Sequence, residues 1–177
     1  MIYVLLAEGF EETEAIEPAD IMKRAGLTVM MVGLSEMYVT GAHGITVKAD
    51  LTINEVAKAD MELLMLPGGP GYEKLDNDTR VHDLIDYAVN NNLYIGAICA
   101  APSILGKKGL LKGKKATCFP GYEQYLLGAE LSEEKAVADG KIITGRGAGA
   151  AGEFGLKTVE VLRGAELCEK LRKAMQY

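Results

Sequence analysis

Short unbroken apolar runs alternate along the chain with longer stretches in which apolar positions recur every three or four residues. Residues 2–7, 27–34, 62–66 and 93–98 are of the first kind and predict buried strands. Residues 78–91, with Val81, Leu84, Ile85 and Ala88 at helical spacing, predict a helix, as do 152–162 and 165–175. The stretch 11–25 opens on acids and closes on Lys23 and Arg24 before Gly26, the polarity of a helix and its stop. Pro18 fits only a first turn, so regular helix is expected from near Glu17, with an acidic lead-in before it. Residues 38–40 and 45–49 form a hairpin around the 41–44 turn, and 136–138 with 141–144 a second around Asp139-Gly140. A short strand is expected at 115–118.

Strands alternating with helices predict an α/β sandwich with a mostly parallel central sheet, decorated by the two hairpins. In such a sheet, sites form at the carboxyl ends of strands. Three segments meet that condition: 8–14 after the first strand, 67–71 after the 62–66 strand, and Cys99 after the 93–98 strand.

The totals fit one domain, residues 1–177, with a full hydrophobic core. A formal charge of −6 and the lack of a basic stripe argue against a nucleic-acid partner. Lys107, Lys108, Lys112, Lys114 and Lys115 cluster, but around an expected turn, and read as a solvated face. The start of the chain lacks a basic leader and no apolar run nears membrane-spanning length, so no membrane partner is expected. The odd set Cys99, Cys118 and Cys168 has no metal-ligand spacing and suits free thiols in a reducing cytoplasm. His43 and His82 are the only histidines, too few for a histidine-rich metal site.

Cys99 lies where the apolar strand gives way to a helix beginning at Ala100. A residue at such a join is pushed out of the backbone toward the N–H groups of the helix start, as in a nucleophile elbow with small flanking residues. The helix N-terminus is expected to lower the thiol pKa. A buried structural cysteine is the competing reading. The run Pro67-Gly68-Gly69-Pro70-Gly71 is read either as a tight turn, which the local sequence favours, or as backbone approaching a ligand with the Gly69 N–H as an oxyanion donor. Among Glu11, Glu12 and Glu14, most are expected to be dipole partners of the helix. One buried acid would have a raised pKa and hydrogen-bond a thiolate, and periodicity leaves open which.

The chain resembles the ThiJ/PfpI superfamily, in the branch of the parkinsonism-associated deglycase. The resemblance is carried by Ala7-Glu8-Gly9-Phe10-Glu11-Glu12-Thr13-Glu14-Ala15, Ile21-Met22-Lys23-Arg24-Ala25-Gly26 and Leu66-Pro67-Gly68-Gly69. Ala97-Ile98-Cys99-Ala100-Ala101-Pro102, Thr144-Gly145-Arg146-Gly147-Ala148-Gly149 and Glu153-Phe154 continue it in order. It implies a flavodoxin-like three-layer α/β/α sandwich, a homodimer, a reactive thiol at Cys99 and a protonated acid at Glu14. It also implies oxyanion donors at the Gly69 and Ala100 N–H groups. Arg24 and His43 fall where that branch has arginines lining a small anion pocket near the dimer interface, so His43 makes such a pocket weaker and pH-dependent. Phe119 stands where family members often carry a histidine near the nucleophile, which argues against a Cys–His peptidase or amidase.

The function implied is a cofactor-free glyoxalase or deglycase, acting on a small carbonyl substrate without glutathione, metal or nucleotide. The alternative is a non-enzymatic oxidative-stress sensor or chaperone working through Cys99 oxidation. Cys118 and Cys168 read as packing residues. A thiamine-related role has no feature to attach to.

Overall fold

The computed structural model describes residues 1–177. Seven strands form the main sheet, and the order along it explains where a site can lie. The strands are β1 (Ile2–Leu6), β2 (Val29–Gly33), β5 (Leu51–Thr52), β6 (Leu63–Leu66), β7 (Tyr94–Ile98), β10 (Ala136–Asp139) and β11 (Ile142–Gly145). They run β10-β11-β7-β6-β1-β2-β5, all parallel to their neighbours except β10. Without the edge strands β5 and β10, the chain order across the sheet is 2-1-3-4-5, the flavodoxin-like doubly wound arrangement. Its switch point falls between β1 and β6. The carboxyl ends of β1, β6 and β7 are adjacent there.

Both faces of the sheet are covered, so side chains of one strand alternate between two cores. Ile2, Val4 and Leu6 of β1 pack with Ala15, Ile21, Phe154 and Val159. Those partners belong to α1 (Glu12–Arg24) and α5 (Ala151–Arg163), beside which α6 (Ala165–Ala174) lies. Tyr3, Leu5 and Ala7 pack on the other face with Val81, Leu84, Ile104 and Leu105. These come from α3 (Thr79–Asn90) and α4 (Pro102–Lys107), with the short α2 (Tyr72–Asp76) alongside.

The expected elements are largely present, with instructive differences. The hairpin β3 (Tyr38–Thr40) and β4 (Thr46–Lys48) stands apart from the main sheet, whereas β10–β11 is its edge rather than a decoration. The strand expected at 115–118 shrinks to β8 (Lys115–Ala116), paired with β9 (Glu130–Leu131). Regular helix begins at Glu12, not near Glu17, with Pro18 inside it. A local cap and a tertiary contact outweigh the backbone bond that Pro18 cannot donate. The Glu11 side chain caps the Glu14 N–H at 2.7 Å, and the Pro18 backbone packs so closely on α5 that a Cβ at Gly155 would come within 2.9 Å of it. The lysine cluster is mostly paired: Lys107 with Asp76, Lys108 with Asp86, Lys114 with Asp139 and Lys115 with Glu134. No helix is long and apolar enough to cross a membrane.

Candidate active site

Cys99 sits immediately after β7 with φ 66°, a left-handed conformation that non-glycine residues adopt at a cost. The turn is pinned on both sides: the Cys99 N–H donates to the Gly145 carbonyl at 2.9 Å, and its carbonyl accepts from the Phe119 N–H at 2.8 Å. Ala100 and Ala101 are buried, leaving space only for small side chains, and Pro102 opens α4. The backbone N–H groups of Gly69 and Ala100 are directed at the Cys99 sulfur.

Glu14 approaches from the first turn of α1. Its side chain is 1% exposed, its Oε2 accepts the Gly68 N–H at 2.9 Å, and its carboxyl interacts directly with the Cys99 thiol. The 67–71 loop is what allows this meeting. A Cβ on Gly68 would fall 2.6 Å from both Cys99 Cβ and Glu14 Oε2, so only glycine fits. Gly69 takes φ 77°, with its α-carbon against the Gly9 carbonyl and the Glu11 N–H. The loop is a tight turn between β6 and α2, with the Tyr72 N–H donating to the Gly69 carbonyl at 3.0 Å, and its backbone also lies close to the thiol and its acid.

The electrostatics differ from expectation. Burial, with a smaller contribution from neighbouring Glu11, raises the Glu14 carboxyl to about 7 against the lowering by the Cys99 and Gly68 hydrogen bonds. Burial and then the Glu14 charge push the Cys99 thiol up to about 12, against the lowering by the Gly69 and Ala100 N–H groups. A lowered thiol pKa from the helix start alone is therefore not what the site provides. α4 has only six residues, and its dipole is outweighed by desolvation. The two groups instead form a coupled pair that carries one negative charge above about pH 7. The thiolate exists when Glu14 holds the remaining proton.

The thiol opens into a cleft of about 380 Å³ lined by Gly69, Pro70, Tyr72, Glu73, Phe119 and Tyr122 around Cys99 and Ala100. Tyr72 and Tyr122 meet edge to face at 5.4 Å and stiffen one wall. Phe119, 47% exposed, forms the other, so the position expected to lack a histidine does lie at the thiol. Neither histidine lines this cleft. His82 is half-buried, with Nε2 2.7 Å from the Asp76 carbonyl.

Arg24 and His43 are not brought together within the chain. Arg24 ends α1, about 18 Å along the helix from Glu12, and pairs with Asp20 at 2.6 Å. His43 lies at the opposite end, its Nδ1 2.8 Å from Glu12 Oε2 and 3.9 Å from Glu11 Oε1. That surrounding is acidic, and no anion pocket forms there in the single chain.

The sequence reading did not single out Glu12. It is 5% exposed, and its Oε1 accepts the N–H groups of His43 at 2.7 Å and Ile45 at 3.4 Å. Burial alone would raise its carboxyl. The His43 side chain and these backbone donors override that and hold it below the usual carboxylate range. Glu12 thereby clamps the 41–44 turn onto the start of α1, the turn that delivers Glu14. Its signal in the sequence was the Gly41-Ala42-His43-Gly44 run, because a side chain at Gly41 would overlap the Glu12 carboxyl.

Residues 1–161 match the model of the DJ-1/PfpI family. The glutathione-independent glyoxalase DJR-1.2 of Caenorhabditis elegans is 32% identical over 98% of this chain and 94% of its own length. A deglycase of Pyrococcus abyssi is 29% identical, over 82% of this chain and 89% of its own. The crystal structure of Drosophila melanogaster DJ-1beta superposes with a TM-score of 0.92 at 34% identity, covering 99% of this chain and 96% of that one. Family match and fold agree, and the chain belongs to the DJ-1/PfpI family.

Proposed function

We propose that the protein is a cofactor-free glyoxalase, with deglycase activity as the same chemistry on glycated adducts. The observation that carries this reading is the Glu14–Cys99 pair beneath two converging backbone N–H groups at the mouth of a small cleft. The Cys99 thiolate adds to the aldehyde carbon of methylglyoxal, and Glu14, which holds the shared proton, delivers it to the new hemithioacetal oxygen. The Gly69 and Ala100 N–H groups stabilise the charge that develops on that oxygen. Glu14, now a carboxylate, takes the proton from the former aldehyde carbon and returns it to the adjacent carbon, while the hemithioacetal hydroxyl proton passes to the neighbouring carbonyl oxygen, giving a thioester of lactate. Water cleaves the thioester and frees the thiol, so the net reaction adds one water to methylglyoxal and yields lactate. Glu14 is the one acid–base group this sequence of steps needs, which accommodates Phe119. The glyoxalase and deglycase relatives support the reaction class.

A second reading rests on the same pair. Two equivalents of a peroxide convert the thiol to a sulfinate with release of two water molecules or alcohols, and protonated Glu14 is placed to donate to a sulfinate oxygen. Glutathione-free consumption of methylglyoxal, with lactate quantified for wild type beside Cys99→Ser, decides between them. Repeated lactate formation by the wild type alone supports the enzyme. Absence of turnover, with stoichiometric peroxide oxidation of Cys99, puts the sensor first.

A further inference from the structure

The chemistry at the thiol leaves two cations unused. Lys135 and Arg146 are cross-strand neighbours: the Arg146 N–H donates to the Lys135 carbonyl at 3.0 Å, one step beyond the Ala136–Gly145 pair of the β10–β11 ladder. Directly opposed residues in such a ladder project to the same face, where like charges repel and destabilise it. Neither cation forms an ion pair with a carboxylate of the chain. Arg146 spends one Nη1 donor on the Glu133 carbonyl at 2.9 Å and otherwise has no partner side chain. The Glu153 carboxylate feels Lys135 but has both oxygens held by Arg172, at 2.8 and 2.7 Å. Glu123 and Glu133 line, with Arg146, a second pocket that Lys135 does not reach.

The two cations line a groove of about 350 Å³ with Phe119, Pro120, Gly147 and Ala148. Phe119 also walls the thiol cleft, and its N–H is bonded to the Cys99 carbonyl, so the groove adjoins the reacting sulfur around a single aromatic ring. Charge is divided across that ring. The cleft side holds Glu73, which repels a second anion, whereas the formally charged side chains lining the groove are Lys135 and Arg146.

We propose that this groove is a specificity subsite for an oxyanion at the far end of the carbonyl substrate. The ligand class is a carboxylate or phosphate on a short apolar body that lies against Phe119, with the oxyanion between Lys135 and Arg146 and the aldehyde directed to Cys99. This deepens the carbonyl-addition reading and rests on it for the substrate's other end.

Calorimetric titration with phenylphosphonate and with benzoate, using neutral benzamide as control, tests the subsite on wild type, Lys135→Ala, Arg146→Gln and Cys99→Ser. Saturable binding of either anion is expected, unchanged in Cys99→Ser, weakened by salt and weakened about tenfold in each cation variant. The tighter of the two anions identifies the oxyanion. No saturable anion binding, equal binding of benzamide, or affinity unchanged in Lys135→Ala overturns the proposal. Lys135 is exposed, so its variant carries the test even if Arg146→Gln fails to fold. Binding is read without turnover: loss of the glyoxalase reading leaves these titrations as they are, and failed titrations beside intact methylglyoxal turnover remove only the subsite.

Discussion

Glu14 and Cys99 meet at the carboxyl edge of the sheet, one from the first turn of α1 and the other from the turn after β7, and their ionisations are coupled. The first ionisation of the pair falls at about 7, where Glu14 would otherwise titrate near 4.5, and the second at about 12, where the thiol would otherwise titrate near 9. Across the interval between them the pair is a monoanion, and its nucleophilic form is the one with the proton on Glu14.

Alkylation of Cys99 by a neutral reagent such as iodoacetamide is therefore expected to accelerate as pH rises through about 7 and then level off. Peptide mapping by mass spectrometry at each pH separates Cys99 from the buried Cys118 and Cys168. A profile that begins to rise only near pH 9, as for an isolated thiol, contradicts that coupling.

Replacing Glu14 by Gln leaves a single ionisation, that of a buried thiol whose largest influence is desolvation. The onset of alkylation moves above pH 7 and lactate formation is lost. Stability changes in the opposite direction. Unfolded Glu14 releases its proton near 4.5 and folded Glu14 near 7, so the folded state binds more protons between those values and stability falls as pH rises through them. That loss amounts to about 3 kcal/mol. Urea melts at pH 5 and pH 8 should show the fall in wild type and a flatter profile in Glu14→Gln.

Gly68→Ala puts a methyl group 2.6 Å from Cys99 Cβ and Glu14 Oε2 and 3.0 Å from Cys99 Sγ. Overpacking of this kind costs roughly 1–3 kcal/mol, and separation of the pair should lower turnover at least about a hundredfold. A variant that keeps wild-type kcat shows that the loop can yield without parting thiol and acid.

Glu12→Ala removes the acceptor for the His43 and Ile45 N–H groups in a largely buried setting. The expected loss is roughly 1–3 kcal/mol, together with lower activity, because the freed turn braces the start of α1. Glu12 titrates below its unfolded value, so its contribution is present above about pH 4.5 and disappears as pH falls through the folded value. Glu12→Gln should accordingly soften acid unfolding. Hydrogen exchange confined to the 41–44 turn, with turnover unaffected, speaks against the brace.

Much of this architecture could be read from residue pattern because burial on both sheet faces leaves unbroken apolar runs. β1, β6 and β7, and with them the three carboxyl ends that form the site, are such runs. The start of α1 was misplaced because a proline counts against a helix locally, while the packing that retains Pro18 comes from Gly155, remote in sequence. α2 was hidden behind Pro70-Gly71, and β5 is too short to have a period. The choice of Glu14 among three acids came from family resemblance. The pattern did contain a trace of it: Glu14 lies four residues before Pro18 and seven before Ile21, on the buried stripe of α1. The direction of the thiol shift could not be read at all, because it depends on how deeply the carboxyl and sulfur are buried together.

The left-handed turn at Cys99, held by Gly145 on one side and Phe119 on the other, has a consequence for slow breathing motions of the protein. The acid, the loop and the sulfur come from three distant stretches of chain, so each rare opening of the sheet's carboxyl edge dissolves the pair and restores an ordinary cysteine. Between about pH 7 and 9, where the closed pair is a monoanion and an ordinary thiol is still mostly protonated, each opening switches the nucleophile off, so the reactivity of Cys99 reports how much of the time the edge is closed.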